Sequence, residues 1–92
     1  MKVLKFRKKP IEVEAVQYDG TNAQDLFKWT NGFVQPIDPE DRGDDPDCDL
    51  SVFDTLHNTW VLVYRDQWII KGIKGEFYPC EDEVFKETYE QI

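Results

Sequence analysis

The segment from Trp68 to Cys80 constrains the fold more than any other part of this chain. It reads Trp-Ile-Ile-Lys-Gly-Ile-Lys-Gly-Glu-Phe-Tyr-Pro-Cys, with two glycines three residues apart among β-forming residues. Glycine is typical of tight turns, and proline ends strand pairing. The pattern therefore predicts a strand, a turn and a second strand that ends at Pro79, before a helix begins. It contains no nucleophile–base pair, metal cluster or phosphate loop, so it indicates architecture and no chemistry.

Hydrophobic periodicity predicts the remaining elements. Apolar and polar residues alternate after Pro10, as in a half-buried strand, and Asn22 is placed to cap a helix that ends before Gly32. A hairpin turning at His57-Asn58 is expected next, and its second strand, 60–64, should pair with 68–71 across Arg65-Asp66. The predicted strands are 10–18, 33–37, 50–55, 60–64, 68–71 and 76–78, and the predicted helices are 23–30 and 82–90. We expect an α+β fold, an antiparallel meander sheet of about five strands with two short helices on one face.

Length and composition favour one domain over residues 1–92. A chain of 92 residues with 40% hydrophobic and 14% aromatic residues can form one modest core. The apolar runs are too short to span a membrane, and no signal-peptide stretch follows the basic start. We therefore expect a cytoplasmic protein in which Cys48 and Cys80 are reduced thiols.

Both ends of the chain also resemble a known group of proteins. Small phage and prophage proteins of unassigned function read approximately Gly-Asp-Trp-Val-Ile-x-Gly-Val-x-Gly-Glu-Phe-Tyr-Pro-Cys, followed by Phe-x-x-Thr-Tyr-Glu. Residues 68–80, Phe85 and 88–90 match that pattern, and residues 6–10 and 14–18 are similar to the opening of those proteins. This chain has Asp66-Gln67 where the pattern has Gly-Asp, so a turn that uses glycine's positive φ is built differently here. The resemblance implies a phage-type accessory protein located in the bacterial host, and it implies no catalytic residue.

An acidic segment separates the two halves of the chain. Residues 38–49 hold seven carboxylates against one arginine, with two prolines and one glycine. Such a composition predicts a solvated loop between strands. Asp45, Asp47 and Asp49 alternate like the first ligands of an EF-hand, but Leu50 and Leu56 replace the required glycine and glutamate. We therefore expect no metal site there, and we take Asp44 with these three aspartates as candidate partner-binding residues.

The charge distribution indicates what kind of partner such a surface would attract. Five of the 11 basic residues lie in the first nine positions, so residues 10–92 carry 19 acidic and six basic residues, a balance of −13. A surface of this charge repels nucleic acid and attracts basic grooves of other proteins. Direct nucleic-acid binding is therefore disfavoured, and solubility alone is the simpler explanation of the acidity.

The glycine turn is a second candidate binding site. Gly72 and Gly75 let another molecule approach the backbone, and Lys71, Lys74 and Tyr78 are placed to contact a nucleotide-like, phosphate-bearing ligand. A plain β-turn with both lysines in water is the simpler interpretation. Glu76 is expected to pair with Lys71 or Lys74, or to help form a polar pocket.

No grouping of residues indicates an enzyme. Ser51 is the sole serine and lies on a predicted strand. We expect His57 to be an exposed turn residue. Two cysteines and one histidine are too few for an ordinary zinc site, and we expect no cofactor.

From these observations and the resemblance we expect a non-enzymatic, phage-type binding protein that inhibits or sequesters a defence-related bacterial host factor. A nucleotide-like ligand sponge and a virion structural or assembly protein are the two alternatives. Homodimerisation is compatible with all three, because a small sheet exposes strand edges.

Overall fold

A computed structural model describes residues 1–7, 9–38, 40 and 48–92 of the chain. The strands in these residues are β1 (Glu14–Gln17), β2 (Val34–Pro36), β3 (Cys48–Asp54), β4 (Thr59–Tyr64), β5 (Trp68–Lys71) and β6 (Phe77–Cys80). The helices are α1 (Ala23–Trp29), between β1 and β2, and α2 (Asp82–Thr88), after β6. The predicted α+β class is confirmed.

The strands form two antiparallel sheets of three strands each, whereas one meander sheet was expected. Sheet A has the order β1-β5-β6, and sheet B has the order β2-β3-β4. The hairpin β3–β4 and the pairing β5–β6 agree with the expectation. The expected pairing of β4 with β5 is wrong, because β5 pairs with β1 in the register Val16 to Ile69.

The core lies between the sheets and under α1. Its fully buried side chains include Leu50, Val52 and Val63 from sheet B, Ile69 from sheet A and Leu26 from α1. Burying aliphatic side chains of this kind contributes about 1.5–3 kcal/mol each. This shared core is what holds the two sheets together, since they meet where β3 passes β6.

The second helix covers the opposite face of sheet A, so the two helices do not share one face. Alternate residues of β5 point to opposite faces, and the face of Trp68 carries α2. The Trp68 ring stacks on Phe85 with centroids 4.1 Å apart and an interplanar angle of 9°. The Trp68 indole N–H also donates to Asp82 Oδ1 at 2.9 Å. These contacts fix α2, none of whose residues is fully buried.

The connection between β4 and β5 explains why the chain changes sheets there. Asp66 has φ 71°, so this aspartate itself supplies the left-handed turn conformation that glycine most often adopts. The Asp66 N–H donates to Tyr18 O at 2.8 Å, and the Tyr18 N–H donates to Gln67 O at 2.9 Å. These two bonds extend the β1–β5 pairing and direct the chain into sheet A.

The buried side chain of Gln67 joins both sheets to α2. Its Oε1 accepts the Tyr64 N–H at 2.8 Å, at the end of β4. Its Nε2 donates to Glu81 Oε1 at 2.8 Å, immediately before α2. The glutamine uses both ends of its amide here, and a carboxylate, which only accepts, could not satisfy both partners at once.

We expect Gln67→Glu to lower the free energy of unfolding by about 1–3 kcal/mol, since a carboxylate cannot donate to Glu81. Adding Glu81→Gln should recover most of that loss, because the new Gln at position 81 can donate to the carboxylate at position 67. Urea unfolding at neutral pH measures both effects. Glu83→Gln, an exposed change on the same helix, is the matched control and should not rescue. Equal rescue by the two second changes would contradict this function of the Gln67 amide.

Candidate functional site

The glycine turn between β5 and β6 is built around the Glu76 side chain. The Gly72 N–H donates to Glu76 O at 2.7 Å, and the Gly75 N–H donates to Gly72 O at 3.0 Å. The Lys74 N–H donates to Glu76 Oε2 at 2.9 Å. Gly75 has φ 81°, which favours glycine, and a Cβ on Gly72 would overlap the Glu76 carboxylate. Glycine is therefore favoured at position 75 by the backbone conformation, and at position 72 because the Glu76 carboxylate leaves no room for a side chain.

The expected ion pair between Glu76 and a neighbouring lysine is not formed. The ion pairs of the described residues are Lys86 with Asp82, at 3.0 Å, and His57 with Asp54, at 2.7 Å. The Glu76 carboxylate instead accepts a backbone N–H of its own turn. A charged acceptor strengthens such a hydrogen bond, so the Glu76 side chain stabilises the turn in which it lies.

The structure separates the residues expected to contact a phosphate. Tyr78 and Ile70 are paired and lie on the face of sheet A that carries α2. Lys71 pairs with Phe77, whose side chain belongs to the core face. Lys74 lies at the exposed tip of the turn. Lys71, Lys74 and Tyr78 therefore do not converge on one phosphate site.

Two cavities flank the turn, and Glu76 lines both. The cavity on the α2 side has a volume of about 400 Å³, and its polar lining comes from Lys9, Glu76, Tyr78, Thr88 and Tyr89. The cavity on the opposite side has a volume of about 620 Å³ and is lined by Phe33, Thr55, Leu56, Ile73, Lys74, Gly75 and Glu76. Thr88, Tyr89 and Lys9 were not expected at a site, because residues distant in sequence meet here only through the docking of α2.

Tyr78 is a neutral phenol at physiological pH. Burial, followed by a hydrogen bond with Tyr89, raises the pKa of Tyr78 to about 12. The phenol therefore serves as a hydrogen-bonding group in the α2-side cavity and carries no charge below strongly alkaline pH. Folding stability that depends on the protonated phenol is present below pH about 10 and is lost as the pH rises toward about 12.

Of the four candidate acidic residues, the structure describes Asp49. Asp44, Asp45 and Asp47 lie outside the described residues. Asp49 lies on β3, half-buried, and its backbone carbonyl accepts the Ile37 N–H at 2.9 Å. Among the described residues, no group of three metal-ligating side chains is found, and no helix is long and apolar enough to cross a membrane.

The predicted exposure of His57 is confirmed, since 70% of its side chain is accessible. Its Nδ1 lies 2.7 Å from Asp54 Oδ2, and this hydrogen bond lowers the pKa of Asp54. Asp54 also accepts the backbone N–H groups of Leu56 and His57. The pair thus closes the β3–β4 turn.

Strand β4 presents an open edge that sequence reasoning missed. It pairs with β3 alone in the described structure, and its sequence Thr-Trp-Val-Leu-Val-Tyr has neither charge nor proline. Trp60 and Leu62 are each 48% exposed, and the Trp60 ring lies 5.3 Å from that of Phe53 on the same face. The uninterrupted apolar run at 60–64 predicted a strand, but it does not show whether one side of the strand lacks a neighbour.

The other edge strands are less able to pair with an added strand. β2 has three residues and includes Pro36, and β6 has four and includes Pro79. β1 has four residues and begins at the charged Glu14. Short strands, prolines and charges all reduce pairing with another chain. The six-residue β4 edge is therefore the best place for a further strand to add.

Comparison with known proteins gives no relative: no protein-family model, curated protein or solved structure matches this chain.

We expect Gly72→Ala and Glu76→Ala each to lower the free energy of unfolding by about 1 kcal/mol, since either change breaks the Glu76-to-Lys74 bond. The double variant should lose little more than either single variant, because both remove the same interaction. Urea unfolding of the four proteins measures this coupling. Additive losses would show that the carboxylate and the Gly72 position act separately.

Proposed function

We propose that this protein is a phage-type accessory protein that acts by binding, and that it sequesters a bacterial host protein. The observation that carries the proposal is the open edge of β4 with its exposed Trp60 and Leu62. An extended partner segment can pair with such an edge through main-chain hydrogen bonds, while alternate side chains supply specificity. Exposed tryptophan is also frequent where binding energy is concentrated.

The charge of the molecule sets the chemistry of the partner. Sheet B contains Asp49 and Asp54 and no lysine or arginine, and the chain from residue 10 onward has a balance of −13. An acidic surface of this kind accelerates association with a basic partner and repels acidic ones. The host protein would therefore offer an extended apolar segment flanked by lysine or arginine.

The proposal needs no catalytic group. The described residues include one histidine, His57, which is engaged in a turn with Asp54. Cys80 has a thiol whose pKa is raised by burial and by Glu81, the reverse of what a reactive thiolate requires. Binding is thus the activity that the chemistry of these side chains supports.

We expect the tagged protein to retain one stoichiometric host protein from a bacterial lysate at about 0.05 M salt and to release it at about 0.5 M, where charge attraction is screened. Trp60→Ser combined with Leu62→Ser should reduce the retained amount at least about tenfold, since two apolar contacts are lost. Val84→Ser, at a residue 52% exposed on α2, is the matched control and should retain the partner. Mass spectrometry identifies and quantifies the retained protein.

Thermal melting of each variant separates loss of binding from loss of folding. If the folded variant with Trp60 and Leu62 replaced retains as much host protein as the wild type, β4 is not the binding site. Turnover of a substrate by the purified protein, lost on replacing Glu76 or His57, would overturn the proposal as a whole.

A second candidate function is the binding of a small, nucleotide-like ligand in the α2-side cavity. Its volume of about 400 Å³ and its lining by Lys9, Tyr78 and Tyr89 favour this candidate. The tyrosines offer rings and hydroxyls, and Lys9 offers a cation, the only one among the described residues that line this cavity. No described feature bears on virion assembly.

If this second candidate is correct, we expect at least one member of a nucleotide panel to raise the melting temperature by several degrees. Tyr89→Phe and Lys9→Ala should each reduce that rise, because they remove a hydroxyl and a charge from the cavity. Lys71→Ala, which changes a lysine outside the cavity lining, is the control. A panel without any shift, at millimolar ligand, would exclude this function.

A further inference from the structure

The first seven residues form an arm that the body of the molecule leaves uncovered. They contain no helix or strand, and all seven are exposed. Phe6 is 88% exposed, Val3 80% and Leu4 62%. Exposed aromatic and aliphatic side chains grouped in one segment are unusual in a soluble monomer and commonly mark a contact site. The arm therefore has the composition of a segment that binds something.

The arm is complementary in charge to the rest of the chain, which has a balance of −13 from residue 10 onward. It carries Lys2, Lys5 and Arg7 and no acidic residue. Sheet B carries Asp49 and Asp54 and no basic residue. Opposite charges of this kind speed the association of the arm with an acidic surface and disfavour the association of two arms with each other. The arm thus matches the basic, apolar segment that the β4 edge would accept.

The spacing of the arm also suits a strand added to β4. In an extended chain, Leu4 and Phe6 lie on one face, and Lys5 and Arg7 lie on the other. Trp60 and Leu62 share the outer face of sheet B by the same alternation. A strand beside β4 would place Leu4 and Phe6 next to them and continue the apolar row.

We propose that the arm, residues 1–7, of one copy of this chain adds as a strand to β4 of a second copy, and that the exchange is reciprocal. Each copy then donates one arm and accepts one, which closes a two-fold symmetric dimer and leaves no open β4 edge. The second copy is the occupant because, within one chain, the arm's apolar side chains stay exposed. The inference rests on the β4 edge used in the proposed function, and the arm would compete with the host protein for it.

Sedimentation equilibrium over a concentration series tests the dimer. We expect a monomer–dimer equilibrium whose dissociation constant rises at least about tenfold between about 0.05 M and about 0.5 M sodium chloride, as screening weakens the charge attraction. Leu4→Ser with Phe6→Ser, the arm variant, should raise the constant at least about tenfold at low salt. Trp60→Ser with Leu62→Ser, the edge variant, should do the same. Ile92→Ser, at a residue 89% exposed, is the matched control and should leave it unchanged.

Mixing the two variants gives the sharpest test. Homodimers of the arm variant have no intact arm, and homodimers of the edge variant have no intact edge. A heterodimer of the two keeps one intact arm on one intact edge. We therefore expect the mixture to associate more tightly than either variant alone.

A mixture that associates no better than its components would overturn the proposal. A wild-type protein that stays monomeric at all concentrations would also overturn it. A monomer in which nuclear Overhauser effects place Phe6 against Trp60 of the same chain would show that the arm binds its own β4 edge, and this outcome too would overturn the proposal. Failure of the dimer and failure of the proposed function are distinguishable. The arm variant should still retain a host protein from the lysate, whereas the edge variant should not.

Discussion

The hydrogen bonds of Gln67 are the constraint on which the rest of this structure depends. Its side chain holds the end of β4 and the start of α2, and its backbone carbonyl accepts the N–H of Tyr18, which follows β1. A buried amide with both ends satisfied is stable, whereas either partner left alone would cost about 1–3 kcal/mol. The chain therefore leaves sheet B after Tyr64 and enters sheet A. Strand β5 is unavailable to β4, so β4 has an open edge in the part of the chain that the structure describes.

The open edge connects the fold to the proposed activity. Had β5 paired with β4, as in a meander, Trp60 and Leu62 would border another strand. Instead they lie at the edge of an uncharged, proline-free strand in a molecule that is acidic beyond residue 10. A natural protein ordinarily protects such an edge against aggregation. The basic arm of a second copy would give that protection reversibly, and a host protein with a similar segment could replace it.

Local sequence signals predicted the elements well, because they depend on neighbours in the chain. Gly72 and Gly75 marked the β5–β6 turn, and Asn22 and Gly32 flank α1, with Gly32 at φ 89° beyond the helix end. Asn22 nevertheless caps no helix N–H through its side chain, which instead bonds to Asp19 N and Gln17 O. The change of sheet at Asp66 and Gln67 was not predictable, since the apolar patterns of β4 and β5 are the same whether or not they pair. The prediction of the phosphate site was the least accurate. Lys71, Lys74 and Tyr78 are close in sequence, yet their side chains lie in different parts of the structure.

The central claim is that β5 pairs with β1 and leaves the edge of β4 open, and backbone nuclear Overhauser effects measure this pairing most directly. The account predicts cross-strand contacts between the backbone protons of Val16 and Ile69, and none between those of β4 and β5. Contacts linking residues 60–64 to residues 68–71 would show a continuous meander and would contradict the account, together with the binding edge derived from it.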